Sequence, residues 1–345
     1  RFDPSTTSWL PGQPLYGNVA FGVTATLDAE SRVHVVYSVR ESLDGTALST
    51  LMRLALLDDG RWSAPQPVSL AANAGHQLSA DLATDTHGHV HITWQDQRNV
   101  SPAMRASDPS NADVFASDLG MDGVWSEAVQ IDQRSSETRN ASRPMLAADG
   151  DRLVAVWSEY DTHEGLASAV GIMWAWRPLA DPLGWSTPQP IFDRGEDLIG
   201  GRFLDLATIP TGGVGLVYGR RIDDIGNQLF VQQLATGSTS WSSPVLLAAG
   251  DRGSYPRIAF ASDGSLYTVY NLGSGITVNV GAFALAPGLT SFGTEVNLTE
   301  FELGIQGIAS VSVDAADTPW VIYFHQPNGE PVTEARVLAN APLFP

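Results

Sequence analysis

One phrase recurs six times along the chain: a turn built on Asp or Gly, then a β-rich run ending in Tyr or Trp. The copies are 28–37 (DAESRVHVVY), 85–94 (DTHGHVHITW), 149–157 (DGDRLVAVW), 211–218 (TGGVGLVY), 263–270 (DGSLYTVY) and 314–323 (DAADTPWVIY). Their terminal aromatics, Tyr37, Trp94, Trp157, Tyr218, Tyr270 and Tyr323, stand 57, 63, 61, 52 and 53 residues apart. A β-type repeat of this length cannot bury its own hydrophobic face. It must stack on its neighbours as an array of small sheets.

A second periodicity runs through the same chain. Trp62 (WSAP), Trp125 (WSEA), Trp185 (WSTP) and Trp241 (WSSP), with Phe292 as a weaker fifth copy, follow one another at 63, 60, 56 and 51 residues. No sixth copy follows Tyr323, but Trp9 (SWLPGQP) stands at the other end, 62 residues on if the chain is read as a circle. An N-terminal strand completing the last sheet would close the array and cover its free edges.

The third unit shows how one sheet is built. Residues 143–148 and 153–157 are apolar strands joined by Asp149-Gly150-Asp151, a turn chemistry that tolerates unusual backbone angles. Residues 169–176 form a third strand and 185–192 a fourth, whose Pro188 and Pro190 suit an outer edge. Four strands with the Pro-bearing one outermost make a propeller blade. The expectation is one all-β domain over 1–345, a six-bladed β-propeller of four-stranded antiparallel blades. The blades span about 18–70, 76–131, 142–193, 201–248, 254–299 and 306–345, and strand 7–16 closes the ring. Both aromatic series are expected to fill the wedges between blades rather than to bind a ligand.

Composition narrows the function. Hydrophobic residues make up 43% of the chain, ample for a core. No apolar run approaches the roughly 18 residues that span a bilayer. A start at Arg1 rather than Met suggests a processed or trimmed chain, with any signal peptide outside it. Without cysteine there are no disulfides and no thiolate nucleophile. Lysine is absent too, and all 19 cationic residues are arginines, which excludes Schiff-base and phosphate-loop-lysine chemistry. A net charge of −19 excludes nucleic acid and an anionic membrane surface as partners. It fits a secreted, periplasmic or cell-surface protein kept soluble by repulsion.

Hairpins of the type Asp-x-x-Gly-x-Val-x-Val-x-Trp, followed by turns such as Asp59-Gly60-Arg61-Trp62 and Asp122-Gly123-Val124-Trp125, resemble the BNR-repeat or sialidase-like propellers of the neuraminidase superfamily. These turns are shortened Asp-boxes without the leading Ser. The resemblance covers the whole chain and implies a protein that binds, or also cleaves, a carbohydrate on one face over the central channel. Family members include sialidases, other glycosidases, polysaccharide lyases and non-catalytic lectin-like or protein-binding propellers. Contact with a surface protein, as part of an extracellular assembly, is therefore the alternative.

Two chain positions per blade would reach that face: residues entering the first strand and residues leaving the second. Polar residues gather at both. A sialidase needs an arginine clamp for a carboxylate, a Tyr activated by Glu, and an Asp acid/base. Arg143, Arg202 and Arg257 supply the clamp, with Tyr255 and Glu159 in catalytic positions, and Arg220 and Arg40 as further substrate contacts. The family's Arg-Ile-Pro signature is absent, since Asn18-Val19-Ala20-Phe21 stands there. A lyase acting on an acidic glycan would use His76 and Tyr255 as base and acid, with Arg202 and His325 on the substrate. There His76 is expected to face Asp96. Paired carboxylates, Asp96 with Glu159 or Asp161 with Asp223, would serve a hydrolase. No cofactor is expected. The cluster His87-Gly88-His89-Val90-His91 reads as turn and surface histidines rather than a metal site. The oxygen-rich stretch Asp108–Asp113 could hold calcium but lacks the closing Glu of a calcium loop.

Overall fold

The β-branched and aromatic residues that end each repeat phrase form the second strand of a sheet, and the Asp turn before it folds the first strand alongside. The structure, a computed structural model, describes residues 2–3, 8–9, 19–40, 48–57, 59–69, 75–107, 111–133, 139–161, 168–191, 203–222, 226–248, 254–272, 279–287, 295–299, 305–326 and 334–339. Strands dominate. The one helix among the described residues, Pro102–Ser107, is too short to cross a membrane.

Five sheets are four-stranded antiparallel meanders in chain order, led by Val19–Leu27, Gln77–Thr84, Arg139–Asp149, Leu204–Thr208 and Ser254–Phe260. A sixth, Ile305–Val313, Pro319–Gln326 and Glu334–Ala339, shows three strands among the described residues. The leading strands stand side by side in sequence order, the packing of a β-propeller. In the third sheet the short outer strand is Gln189–Pro190, paired with Met173 and Trp174, so the proline does sit at an edge. Of the expected closing strand 7–16, only Ser8–Trp9 is described, and it pairs with Phe2–Asp3.

In three of the six copies the repeat turn is built on one carboxylate. Asp28 Oδ1 accepts the backbone N–H of Glu30 and of Arg32, and Asp85 and Asp314 do the same two and four residues on. Oδ2 then receives a ring nitrogen six residues on: His34 Nε2 at 2.8 Å, His91 Nε2 at 3.2 Å, Trp320 Nε1 at 2.8 Å. The turn and the following strand are thus fastened by one side chain. Against the burial that would raise it, hydrogen bonds from His34 and Arg32 hold the Asp28 carboxyl down at about 2. At Gly88, φ is +82° and a Cβ would collide with Ala29, so the turns of the first two sheets touch where only glycine fits. The histidine cluster divides accordingly. His87 and His89 are exposed on the turn, whereas His91 is buried between Asp85 and Asp118.

The repeat aromatics fill the joints between sheets. Trp94 packs with Val36 and Leu51 of the first sheet, Trp157 with Val114 and Ile131 of the second, Tyr218 with Trp174 of the third. Tyr270 joins the fourth sheet to the fifth, and Tyr323 the fifth to the sixth. Trp94, Trp157 and Tyr270 are 0% exposed. A ring of this size buries on the order of 150–250 Å². Trp157→Ala is therefore expected to lose about 3–5 kcal/mol. Denaturant unfolding measures it, and a loss under about 1 kcal/mol would mean the joint does not depend on the ring.

Candidate functional site

The leading strands do not run evenly. Pairing with the second strand slips between Phe21 and Thr24, Leu78 and Asp81, Ser142 and Met145, Ser254 and Arg257, and Gly307 and Ser310. Each slip is a β-bulge, which inserts a residue and re-aims a side chain out of the strand's alternation. The first bulged residue is left-handed in four sheets: Gly22 (φ 61°), Ser79 (49°), Arg143 (52°) and Tyr255 (54°). For the three L residues this conformation costs on the order of 1–2 kcal/mol each. Backbone strain of that kind gathers where side chains are positioned for use.

All four line one cavity of about 230 Å³, together with Phe203 and Arg257. Phe203 organises it. Its ring lies 4.2 Å from that of Tyr255, and the Arg143 guanidinium sits over it at 5.1 Å, a cation–π contact. Gln95, from the second sheet, accepts the Arg143 backbone N–H at 3.2 Å and braces the bulge. Arg257 is 35% exposed and lies 3.9 Å from Asp205. The third, fourth and fifth sheets thus deliver two guanidinium groups and two rings to one place.

Two carboxylates that lie inside the leading strands rather than at their ends flank this cavity. Asp81 accepts the Leu146 N–H of the next sheet at 2.9 Å and lies 3.4 Å from Thr24 Oγ1 of the previous one. Asp205 accepts the Ile258 N–H of its own next sheet at 2.8 Å. Burial pushes Asp81 up to about 7, opposed by the Leu146 N–H and assisted by the charge of Asp205. Burial likewise raises Asp205 to about 6, against the pull of Arg257. A sequence signal exists: both belong to an identical tetrapeptide, Asp-Leu-Ala-Thr, at 81–84 and 205–208, with a charge inside an otherwise apolar strand.

Of the sequence-selected residues, Arg143, Tyr255 and Arg257 come together in the cavity, and the others among the described residues do not line it. Asp96 is fully buried, and its Oδ2 receives Gln77 Nε2, Trp94 Nε1 and Arg98 at 3.2, 2.9 and 2.6 Å. That carboxylate is saturated by structural donors. Its strand partner is Gln77, not His76, which stands opposite Gln97. The expected facing of His76 and Asp96 is therefore off by one residue, and in a strand one residue reverses the side. His76 Nδ1 instead accepts the Ser49 N–H at 3.1 Å, and burial lowers its pKa, helped by Arg40. Arg40 Nε donates to Ser49 Oγ, Glu159 and His325 are buried in second strands, and Arg220 lies half-buried in another. Arg202, Asp223 and residues 108–110 of the oxygen-rich stretch fall outside the described residues, as does the side chain of Asp161, while Asn111, Ala112 and Asp113 are buried.

No known family profile matches the sequence, and no curated protein does. The fold, however, matches solved structures over nearly its full length. The lectin BP39L from Burkholderia pseudomallei superposes with a TM-score of 0.64 at 11% identity, covering 92% of this chain and 81% of the lectin. The α-L-arabinofuranosidase Arb93A from Fusarium graminearum, in complex with an iminosugar inhibitor, gives 0.59 at 12% identity over 93% of each chain. A leech intramolecular trans-sialidase complexed with 2,7-anhydro-Neu5Ac gives 0.58 at 8% identity, covering 97% and 71%. The chain thus shares the fold of these solved structures, a β-propeller.

The raised pKa values carry a consequence for stability. A carboxyl that holds its proton more tightly when folded favours the native state at low pH. That contribution is complete below the unfolded value near 4 and is lost as pH rises through the folded values of about 6 and 7. Melting temperature is expected to fall between pH 5 and pH 8. Asp81→Asn, which keeps an acceptor for Leu146, is expected to flatten that fall. An unchanged slope in the variant would mean Asp81 is ionised throughout.

Proposed function

We propose that this chain is a closed six-bladed propeller that binds an acidic carbohydrate in the pocket of Arg143, Phe203, Tyr255 and Arg257. The observation that carries the reading is the convergence of two guanidinium groups and two aromatic rings from three sheets on one 230 Å³ cavity. Rings offer an apolar face to the C–H side of a sugar. Planar guanidinium groups take a carboxylate bidentately. The volume lies below the roughly 300–1,000 Å³ of drug-sized sites, which suits one sugar ring rather than a long chain. Solved propellers of this fold that carry sugar-like ligands support the reading.

Closure of the ring is supported by Tyr37. Its cluster with Val35, Val39 and Leu54 belongs to the first sheet alone, yet the ring is only 3% exposed. The sixth sheet, completed by the N-terminal strand, is the cover we assign to that face. A secreted, periplasmic or surface location is part of the proposal, supported by the net charge of −19. Binding is the activity proposed, since the pocket's rings and guanidinium groups are recognition chemistry and Asp96 and Glu159 do not line it.

A glycan array spanning uronic acid, sialic acid and neutral sugars tests this. At least one acidic glycan is expected to bind, with Arg143→Ala and Phe203→Ala each weakening it about tenfold or more, some 1.4 kcal/mol. Failure of every glycan would sink the carbohydrate reading and leave the face to a surface protein. Equal binding of acidic and neutral sugars would sink the arginine clamp.

A further inference from the structure

At the turn end of the sheets, grooves open between neighbours, and two of them differ in a revealing way. Between the second and third sheets, Asp118 meets the buried Arg177 in an ion pair, and Arg177 rests on the Trp185 ring at 5.6 Å. The space left is about 90 Å³. The matching positions between the first and second sheets are Ala55 and Leu119. Ala55 stands opposite His34 as Asp118 stands opposite His91. Leu119 pairs with Val90, four residues before Trp94, as Arg177 pairs with Leu153, four before Trp157. The ionic plug is replaced by a methyl group and an isobutyl group, and a cavity of about 540 Å³ remains.

Arg53 forms the polar floor of that cavity and is 8% exposed. Its Nε and Nη2 turn to His34 Nδ1 at 3.1 and 3.0 Å. Nη1 donates to Gln66 Oε1 at 3.2 Å and to the Gly123 carbonyl at 3.4 Å. Every acceptor is neutral, and no carboxylate among the described residues forms an ion pair with it. Asp28 is already held by Arg32 and His34. Burial pulls the Arg53 pKa below its usual value, with Arg32 adding to the pull and the Asp28 charge, one imidazole ring away, opposing it without a direct ion pair. A buried cation without a counter-anion is costly, and an incoming carboxylate removes that cost. One part of the wall is apolar. Leu57, Met121 and Val124 are three of the nine large hydrophobic side chains exposed among the described residues, and all three line this cavity with Leu119 and Trp125.

We propose that the groove between the first and second sheets binds a small organic monocarboxylate with an aliphatic or aromatic body, its head on Arg53 and its body against Leu119 and Trp125. The volume falls within the roughly 300–1,000 Å³ of small-molecule sites. On the lining Arg32 pairs with Asp28 and Glu30, which with Asp122 disfavour a polyanion such as a nucleotide and leave Arg53 for a single carboxylate. The site is separate from the sugar pocket and does not depend on it.

Calorimetric titration with decanoate and 4-phenylbutyrate, each against its matched alcohol, is the test. At least one acid is expected to bind saturably, with its alcohol at least tenfold weaker and that preference lost in Arg53→Gln. The double variant Ala55→Asp/Leu119→Arg rebuilds the neighbouring groove's ion pair and leaves Arg53 and His34 in place. It is expected to abolish binding while melting as the parent does. No saturable binding by either acid, equal binding of acid and alcohol, or an Arg53→Gln chain that still prefers the acid would each overturn the proposal. So would binding that survives in the plugged variant.

Discussion

The seating of one large ring per repeat against the preceding sheet is the interaction on which the rest depends. A four-stranded sheet of this size has no core of its own, so each unit is stable only while its neighbour covers it. Trp94, Trp157, Tyr218, Tyr270 and Tyr323 occupy five successive joints in this way. Because the rings set the spacing of the sheets, they also set how closely the leading strands approach. Residues more than 50 positions apart in sequence meet in one pocket for that reason alone.

The same joints are fastened a second time near the pocket. Asp81 and Asp205 each accept a backbone N–H from the sheet that follows. These carboxylates are structural clips and sources of negative potential next to Arg257 at once. Their raised pKa values show the tension between the two tasks: the clip works with or without a proton, whereas the charge is costly where water is scarce.

The architecture could be read from the chain because periodicity survives divergence. The aromatic that ends DTHGHVHITW and the one that ends DGSLYTVY share a place although few other letters agree. The pocket was half legible. Arg143, Tyr255 and Arg257 drew notice as polar residues entering apolar strands. Phe203 did not, because a hydrophobic residue at the start of a strand looks like core. Asp96 and His76 were misplaced for a different reason: a bulge at Leu78/Asp81 and a one-residue offset decide which side chain faces which, and neither shows in composition. The open groove beside Arg53 was invisible, since it depends on what Ala55 and Leu119 lack relative to their counterparts.

The bulges separate two burdens that most strands must carry together. Along an ordinary strand every second residue belongs to the core, so altering recognition disturbs packing. Here Ser79, Arg143 and Tyr255 stand outside that alternation, supernumerary to the ladder. Recognition can therefore diversify at these positions while the scaffold stays fixed, much as loops vary on an antibody frame. A propeller of this design is a natural host for combinatorial libraries, with its variable positions already marked by left-handed backbone.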